Sequence, residues 1–325
     1  MHKPTVLLPA LALGIVATVE AAAAQTYPSR PVTVVVPFAA GGTIDVVSRI
    51  ITERMRTVLG QPVVIENIVG AGGNIGVGRV ARAAPDGYTL ISGHWGTHVV
   101  NGASYELPYD LRTAFEPIAL TTSVRQVIAA KRASPANDLQ DFIAWLRANP
   151  DKALLGTTGA GSGQVNGFFF QKMTGTRFQY VSYRGLAPAV QDLVSGHIDM
   201  MISSASDLVP QAQAGTIKAY AVAYKSRLLV APDIPTVDEA GLPGFYTQMW
   251  NGLWAPARTP KDVIAKLNAA VVDALAEPAV RRRLTELGLE IQPREEQTPE
   301  ALAAFHKAEI EKWWPIIKAA GIKAE

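Results

Sequence analysis

Apolar and polar positions along the chain alternate between two rhythms. Val34-Val35-Val36 is an unbroken β-branched run that suits a strand buried on both faces, and Pro37 stops it because proline cannot donate to a ladder. From Ile44 the apolar residues recur at Val47, Ile50, Ile51, Met55, Val58 and Leu59, the spacing of a helix with one buried face. Phe38-Ala39-Ala40-Gly41-Gly42 lies between them, so the unit is strand, glycine loop, helix N-terminus. Thr43 is expected to cap the helix and Asp45 to occupy its positive first turn. Unpaired backbone N–H groups and the positive end of a helix dipole meet at such a junction, which can receive a carboxylate or a phosphate. A tight turn of an α/β protein, without a ligand, is the competing reading.

The unit recurs. Further strands are predicted over 61–66, 88–92, 154–158, 178–183, 198–203 and 218–223. Helical spacing marks 79–84, 138–148, the residues after the glycine loop 159–163, 187–196, 262–275, 280–287 and 299–318. Alternating strands and helices predict a mostly parallel sheet, which takes its ligands at the carboxyl ends of the strands. Two extended apolar segments, 115–130 and 249–256, read as crossings between one α/β unit and another inserted in it. The expected division is 25–124 with 246–325 as lobe 1 and 125–245 as lobe 2.

Residues 1–24 fit a removable secretory signal: His2 and Lys3, an apolar run from Val6 to Val19, then Ala22-Ala23-Ala24 before Gln25. Removing those 24 residues from 325 leaves 301, a length that suits two α/β units. An exported, periplasmic protein is expected. The chain has no cysteine, hence no disulfide, thiol nucleophile or cysteine-ligated metal. Thirty basic and 28 acidic residues leave a formal charge of +2, which argues against nucleic acid as a partner.

Catalytic signatures fail one by one. Gly76-Val-Gly78-Arg-Val-Ala81 matches a dinucleotide fingerprint, but its glycines fall on a predicted helix and no acidic residue stands about 20 positions on. Ser162 has Ala160 and Gln164 where a nucleophile elbow needs glycines. His94 and His98 are an i, i+4 pair in a glycine-rich loop without an acidic third ligand. No catalytic residue, cofactor or metal is therefore assigned. Gly159-Ala160-Gly161-Ser162 instead repeats the opening unit, so two helix N-termini facing across a cleft could hold one anion, with Thr43 and Ser162 adding hydroxyls. Simple capping remains open for Ser162 and for Ser203, Ser204 and Ser206, and a solvated turn for Tyr183 and Arg184.

An ordered set of motifs then resembles one family. Pro37-Phe38 with Gly41-Gly42 and Asp45, Leu59 to Asn67, Gly70-Ala-Gly-Gly73, Ile75-Gly76, Pro85 to Leu90, Leu107-Pro-Tyr-Asp110, Gly159 to Ser162, Tyr183-Arg184-Gly185, Ala187-Pro188, Pro235-Thr236, Glu239-Ala-Gly241 and Trp254-Ala-Pro256 follow the order of the Bug family, the extracytoplasmic receptors of tripartite tricarboxylate transporters. The resemblance implies an α/β, type II periplasmic-binding-protein fold: two lobes, a hinge and a central cleft. It also implies a monomer that closes on a small organic carboxylate and delivers it to membrane permease subunits. Carried over residue by residue, the binding loops are Phe38, Ala39, Gly41, Gly42 and Thr43; His94, Trp95 and Thr97; Gly159, Ala160, Gly161 and Ser162; Tyr183 and Arg184; Asp199 and Ser203. The chain departs from the family at Ala39-Ala40 and Ile68-Val69, where prolines or Arg-Pro are usual, at Gly102 and at Ser195. Trp95 offers either an aromatic face to a solute or packing for the hinge. A ligand sensor that presents its closed form to a signalling partner, or an enzyme of unfamiliar type, are the alternatives.

Overall fold

The computed structural model describes residues 27–157, 162–183 and 185–323, the Ser162 side chain excepted. The expected signal segment lies outside the described residues. The valine run forms β1 (Val32–Val36), with Val34, Val35 and Val36 all at 0% exposure, and the helical spacing after it forms α1 (Thr43–Leu59), closed by Gly60 at φ 66°. β2 (Val63–Asn67), α2 (Asn74–Ala81), β3 (Thr89–His94) and the short α3 (Asn101–Ser104) complete the first α/β block.

The long strand β4 (Phe115–Lys131) leads out of it. The inserted block holds α4 (Leu139–Ala148), β5 (Leu154–Thr157), α5 (Ser162–Thr174), β6 (Gln179–Ser182), α6 (Leu186–Ser195), β7 (Met200–Ser204), α7 (Ala205–Gln213) and β8 (Ile217–Val222). β9 (Gln248–Pro256) leads back, followed by α8 (Lys261–Ala276), α9 (Pro278–Glu286), β10 (Glu290–Ile291) and α10 (Pro299–Ala319). Caps explain several boundaries: Asp138 accepts from the Asp141 N–H before α4, and Thr298 accepts from the Ala301 N–H ahead of Pro299 in α10.

The strands join in the order β2-β1-β3-β9-β4-β7-β5-β6, with β8 and β10 also on β4. β1 pairs in parallel with β2 and β3, and β5 with β6 and β7, but every pairing of β4 and β9 is antiparallel. The sheet is thus mixed where a mostly parallel one was expected. A chain that leaves one block and returns beside its outgoing strand must run the opposite way, so the two crossing strands pair head to tail.

β4 changes partners midway. It pairs with β9 from Phe115↔Pro256 to Arg125↔Gln248, then with β7 from Gln126↔Ser204 to Ala130↔Met200. In the first block, Val47, Ile50, Leu267 and Val271 of α1 and α8 cover one sheet face with Val34, Leu90 and Leu253. On the other face α10 packs Ile310, Trp313 and Ile317 toward Ile91, Trp95 and Trp254. α10 also reaches the inserted block, where Trp313 meets Phe169 of α5 edge to face at 5.2 Å. Among the described residues no helix is long and apolar enough to cross a membrane.

Candidate functional site

The carboxyl ends of the strands converge where β4 changes partners. His94, the last residue of β3, pairs with Asn251 of β9, and Asn251 pairs with Thr122 of β4. Ser204, the last residue of β7, pairs with Gln126. The two blocks therefore bring their strand ends to points only four residues apart on β4, about 13 Å at strand rise. Polar side chains line this crossing: Asn251 Nδ2 donates to Thr122 Oγ1 at 3.0 Å, Thr121 Oγ1 to the Asn251 carbonyl at 3.0 Å, and Gln292 Nε2 to Ser123 Oγ at 2.7 Å.

On the first block three loops close on one another. The Phe38 ring stacks on His94 at 4.9 Å, and a Cβ placed on Gly73 would stand 2.8 Å from Thr97 Cγ2, 3.2 Å from Pro37 Cβ and 3.3 Å from Phe38 Cζ. Gly73, at φ +95°, is the residue that lets the 70–73 loop approach the ends of β1 and β3. His94 and Thr97 fix each other: Thr97 Oγ1 accepts from the His94 N–H at 3.1 Å, and the Thr97 N–H donates to His94 Nδ1 at 3.2 Å. That last bond requires an unprotonated Nδ1, and burial pushes the His94 pKa down to about 4.

The α1 N-terminus is organised by its own carboxylate. Gly42, and not Thr43, holds the capping position, without a side-chain cap, and Thr43 is the first helical residue. Asp45 Oδ2 accepts from the Gly41 N–H at 2.9 Å and from Arg49 Nε at 2.9 Å, while Asn67 Nδ2 donates to Asp45 Oδ1 at 2.8 Å and to the Phe38 carbonyl at 2.9 Å. The Arg49 hydrogen bond leads in lowering the Asp45 pKa to about 2, with help from Gly41 and Asn67. Asp45 thus replaces the missing cap by reaching back over the loop. The N–H groups of Thr43 and Ile44 belong to the first turn, where a helix supplies no acceptor of its own. Ala39, Gly41, Gly42 and Thr43 are exposed around them.

Other expected positions have different surroundings. Trp95 is 2% exposed and packs edge to face on Trp313 at 5.2 Å, so its ring presents no open face for a solute to stack on. Tyr183 spends its hydroxyl on Asp192 Oδ2 at 2.6 Å, and burial together with that carboxylate pushes its pKa up to about 12. Ser203 is buried within β7 opposite Val127.

Asp199 requires correction. It precedes β7 at the amino end, opposite to Ser204, where Oδ1 meets Lys131 Nζ at 2.7 Å and Oδ2 accepts from the Leu154 N–H at 2.9 Å. Strand length alone puts it roughly 17 Å from the carboxyl edge. Gly159, Ala160, Gly161 and Arg184, together with the Ser162 side chain, lie outside the described residues. The Tyr183 N–H donates to the Thr157 carbonyl at 2.8 Å, so the segments leading into 158–161 and 184 start side by side.

Gly76 and Gly78 do lie on a helix, α2, and serve packing: a Cβ on Gly76 would meet the Ile68 carbonyl at 2.8 Å, and one on Gly78 would meet Tyr109 at 3.1 Å. The His98 ring is fully buried and stacked on Trp254 at 4.0 Å, and among the described residues no group of three potential metal ligands forms. Sequence reasoning left Asn67, Arg49 and Gly73 out of the site. Arg49 stands four residues after Asp45 and so was legible as its helical partner; Asn67, on another strand, carried no local signal.

The model of the tripartite tricarboxylate transporter family receptor matches residues 47–322. Among solved structures, the chain is similar to MatC of Rhodopseudomonas palustris with bound malate, at 41% identity over 90% of this chain and 100% of that one, TM-score 0.74. It is similar to the periplasmic binding protein BugD at 39% identity over 92% and 100%, TM-score 0.73. It also resembles Rpa4515 of R. palustris with adipate, at 34% identity over 91% and 98%, TM-score 0.75. The fold is the two-lobed α/β arrangement of these solute-binding proteins.

Proposed function

This chain belongs to the tripartite tricarboxylate transporter receptor family, a family of solute receptors and not of enzymes, and from that premise we propose a periplasmic receptor for a small carboxylate. Its cleft opens where the strand ends of the two blocks meet on β4. One carboxylate of the solute lies against the first-turn N–H groups of α1 and the 38–43 and 94–97 loops. The segment 159–162 and Arg184 close on it from the inserted lobe. Malate in MatC and adipate in Rpa4515 support a short aliphatic dicarboxylate as the solute. The closed form then hands it to a membrane permease, and an export signal over 1–24 puts the receptor in the periplasm.

The observation that carries this reading is the convergence of His94, through Asn251, on Thr122 and of Ser204 on Gln126 of the same strand. The carboxyl ends of β3 and β7 thereby lie on either side of one crossing. Asp45 supports it by holding the first loop in shape before the ligand arrives, which lowers the ordering cost of binding. Hydrogen bonds to a charged group are worth about 1.5–3 kcal/mol each, so Ser162→Ala weakens binding roughly ten- to a hundredfold. A calorimetric and thermal-shift screen of malate, adipate, longer dicarboxylates and benzoate tests the assignment. A one-to-one heat with a rise in Tm for at least one dicarboxylate is expected; a folded protein that binds none of these acids refutes it.

A further inference from the structure

We propose that the groove beside α10, outside the interlobe cleft, is a second binding site that takes a free amphipathic monocarboxylate with an aromatic or medium-length aliphatic body. The groove encloses about 680 Å³ and continues, past Leu111, Arg112 and Trp314, into a neighbouring depression of about 430 Å³. Small-molecule sites occupy roughly 300–1,000 Å³ and are mostly apolar, with a few converging polar groups. The walls meet that description: Phe115 and Pro117 of β4 face Ile310 and Trp314 of α10, with Trp254, 1% exposed, beneath them.

The polar groups select the head of the ligand. Arg112, Lys307 and Lys318 stand at the groove; Asp110 holds the Arg112 guanidinium at 2.6–3.1 Å and Glu311 lies 3.9 Å from Lys307, which leaves the positive charge of Lys318 in excess. Arg112 and Lys318 both lie over the Trp314 ring, at 5.4 and 5.5 Å from its centroid, so two cations flank one apolar wall. Deeper in, His306 Nε2 is 2.7 Å from the His98 carbonyl, which can only accept. The proton is therefore on Nε2, and Nδ1 is left as an acceptor on a ring that burial keeps neutral. An anionic head at the rim meets Lys318 and an apolar body lies along Trp314, while His306 Nδ1 gains no donor from such a ligand.

The β4–β9 ladder sets the distance from the cleft. The groove is lined at Phe115, Pro117 and Trp254, near Phe115↔Pro256, whereas the first-block strand end reaches β4 at Thr122. Five residues of strand from Pro117 to Thr122 amount to roughly 17 Å.

Octanoate serves as the probe, titrated by calorimetry into the full mature protein with and without saturating adipate, and octan-1-ol as its uncharged counterpart. One-to-one octanoate binding that adipate does not displace is expected, with octanol about tenfold weaker and affinity rising about fourfold for each methylene from hexanoate to octanoate. Ala303→Trp, which fills the groove from the exposed side of α10, and the surface double variant Arg112→Glu/Lys318→Glu each lower octanoate affinity at least about tenfold with unchanged circular dichroism. Absent saturable binding, displacement by adipate, or equal affinity in wild type and the charge-reversed variant overturns the proposal. Adipate binding itself reports separately on the cleft.

Discussion

Asp45 shows how one side chain can set the shape of a loop that lies before it in sequence. Its carboxylate ties the Gly41 N–H, Arg49 and Asn67 together at the start of α1. Asp45→Ala removes all three bonds and leaves the Gly41 N–H without its acceptor, while Asn67 keeps only the Phe38 carbonyl and Arg49, so a loss of about 2 kcal/mol is expected in urea denaturation, with weaker carboxylate binding. Gly73→Ala forces a side chain into φ +95° and against Thr97, Pro37 and Phe38; about 2 kcal/mol of strain is expected, and calorimetry should show binding impaired along with it.

The buried histidines make a third prediction. Unfolded histidine takes its proton near pH 6.5, while folded His94 resists until about 4, and burial also lowers His98 and His306. Between these values the unfolded chain binds more protons, so stability is complete above pH 6.5 and falls as pH drops toward 4. Asp45, with its folded pKa near 2, adds a further loss from about pH 4 down to 2. A Tm profile from pH 8 to 3 checks both windows; a flat line between 6.5 and 4 contradicts the burial of the histidines. At this scale the glycine loops were legible because a tight βα turn needs glycine. The commitments of Tyr183 to Asp192 and of Asp199 to Lys131 were not, because a side chain's partner is set by tertiary contact that no local pattern encodes.

Elements were largely readable from periodicity: α1, α4, α8 and α10 begin and end near their apolar spacing and their Asp, Thr, Pro and Gly signals. The crossing segments were visible as long apolar stretches. Their antiparallel direction was not, since apolar content says nothing about which strand lies alongside. β10, two residues long, had no signal of its own and exists because it lies against Thr122 and Ser123 of β4. Arg125 ties these elements together: its guanidinium donates to the Ser226 and Arg227 carbonyls at 2.8 and 3.0 Å and meets Glu290 at 2.7 Å. Arg125→Met strands the half-buried Glu290 carboxylate and two carbonyls at the crossing; about 2 kcal/mol of destabilisation is expected from urea titration, and a change below a few tenths would deny the tie any structural role.

For the whole molecule, two α/β blocks are joined by β4 and β9 and backed by α10, and β4 exchanges partners between them. Trp250 and Trp313 both donate to Glu309 Oε2, at 2.9 and 3.2 Å, and Lys312 Nζ donates to the Tyr246 carbonyl at 2.6 Å, so α10 grips the returning strand and the segment before it. Closure around a solute should lower the radius of gyration in small-angle X-ray scattering when a stabilising carboxylate is added. The most direct test is a crystal structure of the protein grown with the dicarboxylate that raises its Tm most. The solute's carboxylate is expected within hydrogen-bond distance of the 41–44 backbone N–H groups, with 159–162 reaching it from the other lobe. A solute bound to one lobe alone, or found only in the α10 groove, would contradict the account.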